Sequence, residues 1–155
     1  MPPAVFVDTS AFLAFFVPAD ANHEEACFLF EELRGARRPL FTSTDVVDEV
    51  VTFLRRRAGT AAAIEAGEAL RDPGALRMVE VDPRLRDSAW RIFRENRSPG
   101  LSLTDCTSSA IMLDRTIAEV FTFDEDFRRL GHRTLPGPRP LLRPRPARPA
   151  PAGRS

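Results

Sequence analysis

Four acidic side chains stand at positions where hydrolytic chemistry is easy to place. Asp8 ends the apolar run Val5-Phe6-Val7, and Glu49 lies in Asp48-Glu49-Val50, early in a stripe of helical spacing. Asp105 follows Leu101-Ser102-Leu103-Thr104, and Asp124 follows Val120-Phe121-Thr122-Phe123. Carboxylates gathered in one place repel and raise each other's pKa. A hard divalent cation, Mg²⁺ with Mn²⁺ as a substitute, removes that penalty, because it takes oxygen ligands and leaves room for waters and a substrate phosphate. Such a site activates water and offsets charge on a scissile phosphodiester. Each acid also has a plainer reading. Asp8 and Asp124 suit helix N-caps, Asp105 a stabilising acid in a first helical turn, and Glu49 a solvated surface group. With 22 acids among 155 residues, spacing alone leaves the joint and the single readings equally open.

Other chemistries have fewer residues to draw on. All 22 basic residues counted as Lys or Arg are Arg, so any mechanism that needs a lysine is excluded. That removes a haloacid-dehalogenase phosphatase, which also wants a second Asp where Ser10 stands. It removes a phospho-acceptor receiver domain too, although Val81-Asp82-Pro83 mimics the position of its acceptor. His23 and His132 stand alone, with no serine or cysteine in a recognisable triad.

The elements that must position the four acids follow from the pattern of apolar residues and breakers. Short apolar runs at 4–7, 40–42, 76–81 and 120–123 read as strands, with 133–135 as a fifth, edge strand. Helices are expected at about 10–17, 23–33, 43–57, 61–70, from Pro83 onward, at 103–114 with Leu103, Cys106, Ala110 and Leu113 on one apolar face, and at 125–130, punctuated by Pro18, Gly35, Gly59, Asp72-Pro73-Gly74 and Ser98-Pro99-Gly100. Strands alternating with helices predict a parallel sheet of four to five strands covered on both faces. In such a sheet, ligands bind beyond the carboxyl ends of the strands, where the following helices begin. Asp8 and Asp124 at strand ends, and Glu49 and Asp105 early in helices, are then expected at the same edge.

Composition bounds the rest. Hydrophobic residues make 43% of the chain and charged residues 28%, enough for one core. The formal net charge is zero, but from Pro136 onward there are five Arg and no acid. Residues 1–135 therefore carry 17 Arg against 22 acids, a net of −5. That body is not a bulk electrostatic binder of nucleic acid. The segment PGPRPLLRPRPARPAPAGRS, 136–155, is expected to be a disordered tail on a domain spanning 1–135. Cys27 and Cys106 read as small buried thiols in a reduced cytoplasmic protein, and the apolar stretch 11–17 is too short to span a membrane.

The acidic motifs, taken in order, resemble the PIN domain. They are Val7-Asp8-Thr9-Ser10-Ala11, Asp48-Glu49-Val50 on a helix ending Leu54-Arg55-Arg56-Arg57, Leu103-Thr104-Asp105-Cys106, and Phe121-Thr122-Phe123-Asp124-Glu125-Asp126-Phe127. Within that family they look most like the VapC-type toxins of bacterial toxin–antitoxin pairs. The resemblance implies an α/β/α sandwich and a Mg²⁺- or Mn²⁺-dependent endoribonuclease that cleaves single-stranded or structured RNA by two-metal hydrolysis. It implies Asp8, Glu49, Asp105 and Asp124 as the catalytic acids, with Asp8, Asp105 and Asp124 toward metal. Ser10 and Thr104 match supporting hydroxyl positions, and Asp126 supports or replaces Asp124. A homodimer and a small antitoxin as partner are implied as well. A non-toxin PIN nuclease of RNA processing and a catalytically silent PIN-like binding module remain as alternatives. Trp90 and Phe93 are expected in the core. The Phe-rich helices (Phe12, Phe15, Phe16, Phe28 and Phe30) read equally as core or as a dimer or antitoxin groove. Arg55 to Arg57 read as a solvated helix end, with contact to RNA phosphates as the alternative.

Overall fold

The structure, a computed structural model, describes residues 1–138. Its elements in chain order are β1 (Val5–Val7), α1 (Thr9–Phe16), α2 (His23–Gly35), β2 (Leu40–Ser43), α3 (Thr44–Arg57) and α4 (Thr60–Leu70). They continue with β3 (Arg77–Val79), α5 (Pro83–Glu95), α6 (Leu103–Asp114), β4 (Glu119–Phe121), α7 (Asp126–Arg129) and β5 (Arg133–Leu135). From position 139 on, the expected tail lies outside the described residues.

Val5, Phe6 and Val7 have no exposed surface, as befits a strand with both faces covered. Accordingly β1 lies at the centre of a five-stranded sheet ordered β3-β2-β1-β4-β5. Every neighbouring pair of strands is parallel. The order runs outward from β1 in one direction through β2 and β3, and in the other through β4 and β5. Between β1 and β4 the winding reverses, the position at which sheets of this kind bind ligands beyond the strand ends. Helices α1 and α2 pack on each other, as do α3 with α4 and α5 with α6. This is the α/β/α sandwich that the strand–helix alternation predicts.

Side-chain oxygens start four of the helices at or near this edge or its loops. Asp8 caps α1, Ser43 caps α3, Asp82 caps α5 and Ser102 caps α6, each accepting from an amide of the first turn. Pro83 sits at the first position of α5, where it has no missing partner to regret.

Three expectations about the core are corrected. Trp90 and Phe93 are exposed, because α5 buries only the narrow stripe of Leu85 and Ala89. On α6 the expected face of Leu103, Cys106, Ala110 and Leu113 fails at both ends, with Leu103 and Leu113 exposed. Instead α6 is buried continuously from Asp105 to Met112, through Thr107, Ser108 and Ser109. Small hydroxyl residues let it pack closely on all sides. Thr107 returns its hydroxyl to the Leu103 carbonyl at 3.0 Å, and Ser109 lies 2.6 Å from the buried His132 ring. Cys27 is half-buried, while Cys106 is buried as expected.

Candidate active site at the carboxyl edge of the sheet

Asp8 is the residue immediately after β1, and it is 2% exposed. Its Oδ2 accepts three hydrogen bonds, from the Ser10 amide (3.3 Å), the Ser10 hydroxyl (3.0 Å) and the Thr122 hydroxyl (2.9 Å). Its Oδ1 is buried and accepts none from the described residues. A buried acceptor without a partner costs on the order of 1–3 kcal/mol, more when charged. Burial pushes the Asp8 carboxyl up to about 6, against the donors from Thr122 and Ser10, which favour its charged form.

Asp105 lies in the first turn of α6 and is held by a capping box. Its Oδ2 accepts the Ser102 amide at 2.8 Å, while the Ser102 hydroxyl accepts the Asp105 amide at 3.0 Å. Burial pushes its carboxyl up to about 7, and the charges of Asp8 and then Asp124 push in the same direction. The three acids therefore share one field. Beside them the Cys106 thiol is pushed up to about 11 by burial and by Asp105, so it stays protonated and unreactive.

Asp124 is joined to Asp8 through Thr122, whose hydroxyl accepts the Asp124 amide at 3.0 Å. Asp124 Oδ1 accepts the amide of Asp126 at 2.9 Å and so opens α7. Ser10 braces the same corner, accepting the Phe123 amide at 2.9 Å. Glu49 stands apart from this trio in its contacts: its Oε2 accepts the Thr9 hydroxyl at 2.6 Å, tying α3 to the start of α1.

The PIN domain family matches residues 5–133, from β1 to the start of β5. The chain belongs to the PIN-domain family. It is similar to the 23S rRNA-specific endonuclease VapC20 of two Mycobacterium tuberculosis strains, at 34% identity over 128 residues that cover 82% of this chain and 94% of the relative. A crystal structure of Mycobacterium tuberculosis VapC20, described as a sarcin–ricin loop cleaving toxin, matches with a TM-score of 0.74. It is 32% identical and covers 83% of this chain and 96% of that one.

In this PIN domain the expected acids divide by environment. Asp8, Asp105 and Asp124 interact, whereas Glu49 is bound to Thr9. Asp126, expected to support or replace Asp124, donates its backbone amide to Asp124 Oδ1. It is 7% exposed, accepts Ser98 Oγ at 2.7 Å and pairs with Arg129 at 2.9 Å. Its carboxylate braces the 98–100 loop, where a Cβ on Gly100 would come within 3.0 Å of Oδ2. Thr104 is half-buried, and its hydroxyl makes no hydrogen bond among the described residues. The hydroxyls that hold the acids are those of Thr9, Ser10, Thr122 and Ser102. Of these only Ser10 stands out in the sequence, because the partners of Thr9 and Thr122 lie 40 and 114 positions away.

Among the described residues no three His, Cys, Asp or Glu side chains are gathered so that they could hold a metal ion as they stand. The donor set nonetheless suits a hard divalent cation. It is all carboxylate oxygen, one of those oxygens is buried without a partner, and the carboxyls raise one another's affinity for positive charge.

Proposed function

We propose that this PIN-domain chain is a metal-dependent endoribonuclease, the toxin of a type II toxin–antitoxin pair. Asp8, Asp105 and Asp124 would hold Mg²⁺, with Mn²⁺ as a substitute. The observation that carries this reading is the unpartnered Asp8 Oδ1, buried at the strand edge among acids close enough that Asp105 feels the charges of both Asp8 and Asp124. A bound cation supplies water activation and charge neutralisation at the scissile phosphate. The chain's own residues supply the rest. The hydrogen bonds that Thr122 and Ser10 donate to Asp8 all go to Oδ2 and so leave Oδ1 free for a ligand. Ser102 orients Asp105 in the same way. Glu49, bound to Thr9 next to Asp8 in the chain, would serve as a further acid able to accept a proton from water.

The relatives' names point to a loop of ribosomal RNA as the first substrate to test. Purified protein with Mg²⁺ or Mn²⁺ should cleave such an RNA, and EDTA should abolish cleavage. Cleavage that survives thorough chelation would refute the mechanism.

The toxin reading adds an antitoxin partner, a homodimer and action in the cytoplasm. A groove of about 610 Å³ between α1, α2 and the end of α4 supports the partner. Phe12, Phe15, Phe16 and Phe30 line it with Leu70 and Leu76, and Arg34 and Arg37 lie at its side. An apolar helix face with an acidic flank would fill it. Expression of the chain alone should arrest bacterial growth, and co-expression of a small protein encoded beside it should restore growth. Harmless expression of active enzyme would favour a PIN nuclease of RNA processing. No helix among the described residues is long and apolar enough to cross a membrane.

A further inference from the structure

Trp90 and Phe93 lie one turn apart on α5 and stack on each other, with ring centroids 5.4 Å apart and planes 17° apart. They are 53% and 38% exposed. Together with Arg94, Arg97, Pro99 and Leu101 they line an open cleft of about 610 Å³. In a body that is acidic overall, residues 83–97 carry five Arg against Asp87 and Glu95. Arg84 and Arg86 are paired with Asp114 and Asp45. Arg91, Arg94 and Arg97 enter no ion pair among the described residues.

A short stretch of chain joins the wall of this cleft to the acidic site. Ser98, on its wall, donates to Asp126, and Ser102, three residues beyond Pro99, caps the helix of Asp105. Exposed ring faces offer stacking to any base, and free guanidinium groups offer charge to phosphates. An apolar protein segment would use the rings and leave the arginines unmatched. A single strand of RNA uses both.

Resting on the ribonuclease reading above, we propose that this cleft is an RNA subsite, in which Trp90 and Phe93 stack an unpaired base of the substrate and Arg94 and Arg97 hold the neighbouring phosphates. The subsite grips nucleotides flanking the scissile bond and selects RNA whose bases are unpaired there.

Trp90 is the single tryptophan of the chain, so intrinsic fluorescence of the full-length protein reports this cleft alone. Titrating the protein in EDTA with a short single-stranded oligoribonucleotide should quench Trp90 saturably, and a duplex of the same sequence should quench it less. Phe93→Ala and Arg97→Ala should each weaken that binding by about 5- to 100-fold. In cleavage assays Trp90→Ala should raise KM by a similar factor with kcat within about twofold of wild type, and Trp90→Phe should restore most of the loss. No quench, or a quench whose affinity both variants leave unchanged, overturns the subsite whether or not RNA is cleaved. Efficient cleavage with an unaltered KM in Trp90→Ala overturns it while the ribonuclease reading stands. Saturable, variant-sensitive quenching by a protein that never cleaves RNA supports the subsite and refutes the ribonuclease reading. Loss of a dimer in Trp90→Ala, seen by size-exclusion chromatography with RNA affinity intact, would assign the cleft to contact between copies and overturn the proposal.

Discussion

Thr122 donates its hydroxyl proton to Asp8 Oδ2 at 2.9 Å while accepting the backbone amide of Asp124 at 3.0 Å. One small side chain thus joins the ends of the two central strands and sets the direction in which Asp8 presents its free oxygen. Thr122→Val keeps the shape and removes both bonds. Asp8 would lose the strongest donor to its charged form, and two buried groups would be left short of partners. Stability should fall by about 1–3 kcal/mol, and cleavage should fall with it. A variant that melts and cleaves like wild type would show that Thr122 is a bystander.

Asp8 and Asp105 predict an unusual response of the metal-free protein to pH. Their ordinary carboxyl pKa is 3.8, and in the fold they stand near 6 and 7, burial being the larger cause for each. Between pH 4 and 7 the folded chain holds protons that the unfolded chain has released. Raising pH through that window therefore lowers stability. His132 opposes this near its ordinary value of 6.5, because burial lowers its pKa and the unfolded chain then binds the extra proton. Comparison with Asp105→Asn separates the two. In EDTA, wild type should lose more melting temperature between pH 5 and pH 7.5 than Asp105→Asn does. An equal loss would mean that Asp105 is ionised at ordinary carboxylate pH.

Asp8 is at once an N-cap and a member of the acidic trio, and the two roles oppose each other in a melt. Losing a cap costs about 1 kcal/mol, but Asn is itself a good cap and carries no charge. Asp8→Asn at pH 7.5 without metal should melt no lower than wild type, and it should cleave RNA at least about a hundredfold more slowly, as loss of a metal-binding carboxylate implies. A lower melting temperature with normal cleavage would leave Asp8 as a cap only.

Asp124 and Asp126 are separable. Asp126 receives Ser98, pairs with Arg129 and abuts Gly100, so Asp126→Asn should destabilise the fold while leaving most of the activity. Asp124→Asn should do the reverse. Matching kinetic losses in both variants would return Asp126 to the metal site.

Much of this was legible before any coordinates. The run Val5-Phe6-Val7 demands a strand covered on both faces, and the acid that follows it must then fall at the carboxyl edge. The helix expected at 103–114 likewise puts Asp105 in its first turn, at the same edge, although its cap Ser102 is not marked by the sequence pattern. What stayed hidden depends on contacts between distant residues. Nothing local distinguishes Thr9 or Thr122 from any other threonine until the fold sets them against Glu49 and Asp8. Periodicity also misplaced Trp90 and Phe93, because helical spacing shows that a helix has an apolar face and not how much of that face its neighbour covers. On α6 the error ran the other way. Thr107, Ser108 and Ser109 are buried although no hydropathy pattern marks them, since close packing needs small side chains.

Cation binding to metal-free protein, measured by calorimetric titration with Mn²⁺, tests the central claim most directly. The claim is that Asp8, Asp105 and Asp124 act as one site. Wild type should bind saturably, and its melting temperature should rise with Mn²⁺ concentration, because a ligand that binds only the folded state stabilises it. Asp105→Asn, folded and at least as stable without metal, should bind at least about tenfold more weakly, the loss expected when a supporting carboxylate of a metal site is removed. Equal Mn²⁺ affinity in the two proteins would contradict the account.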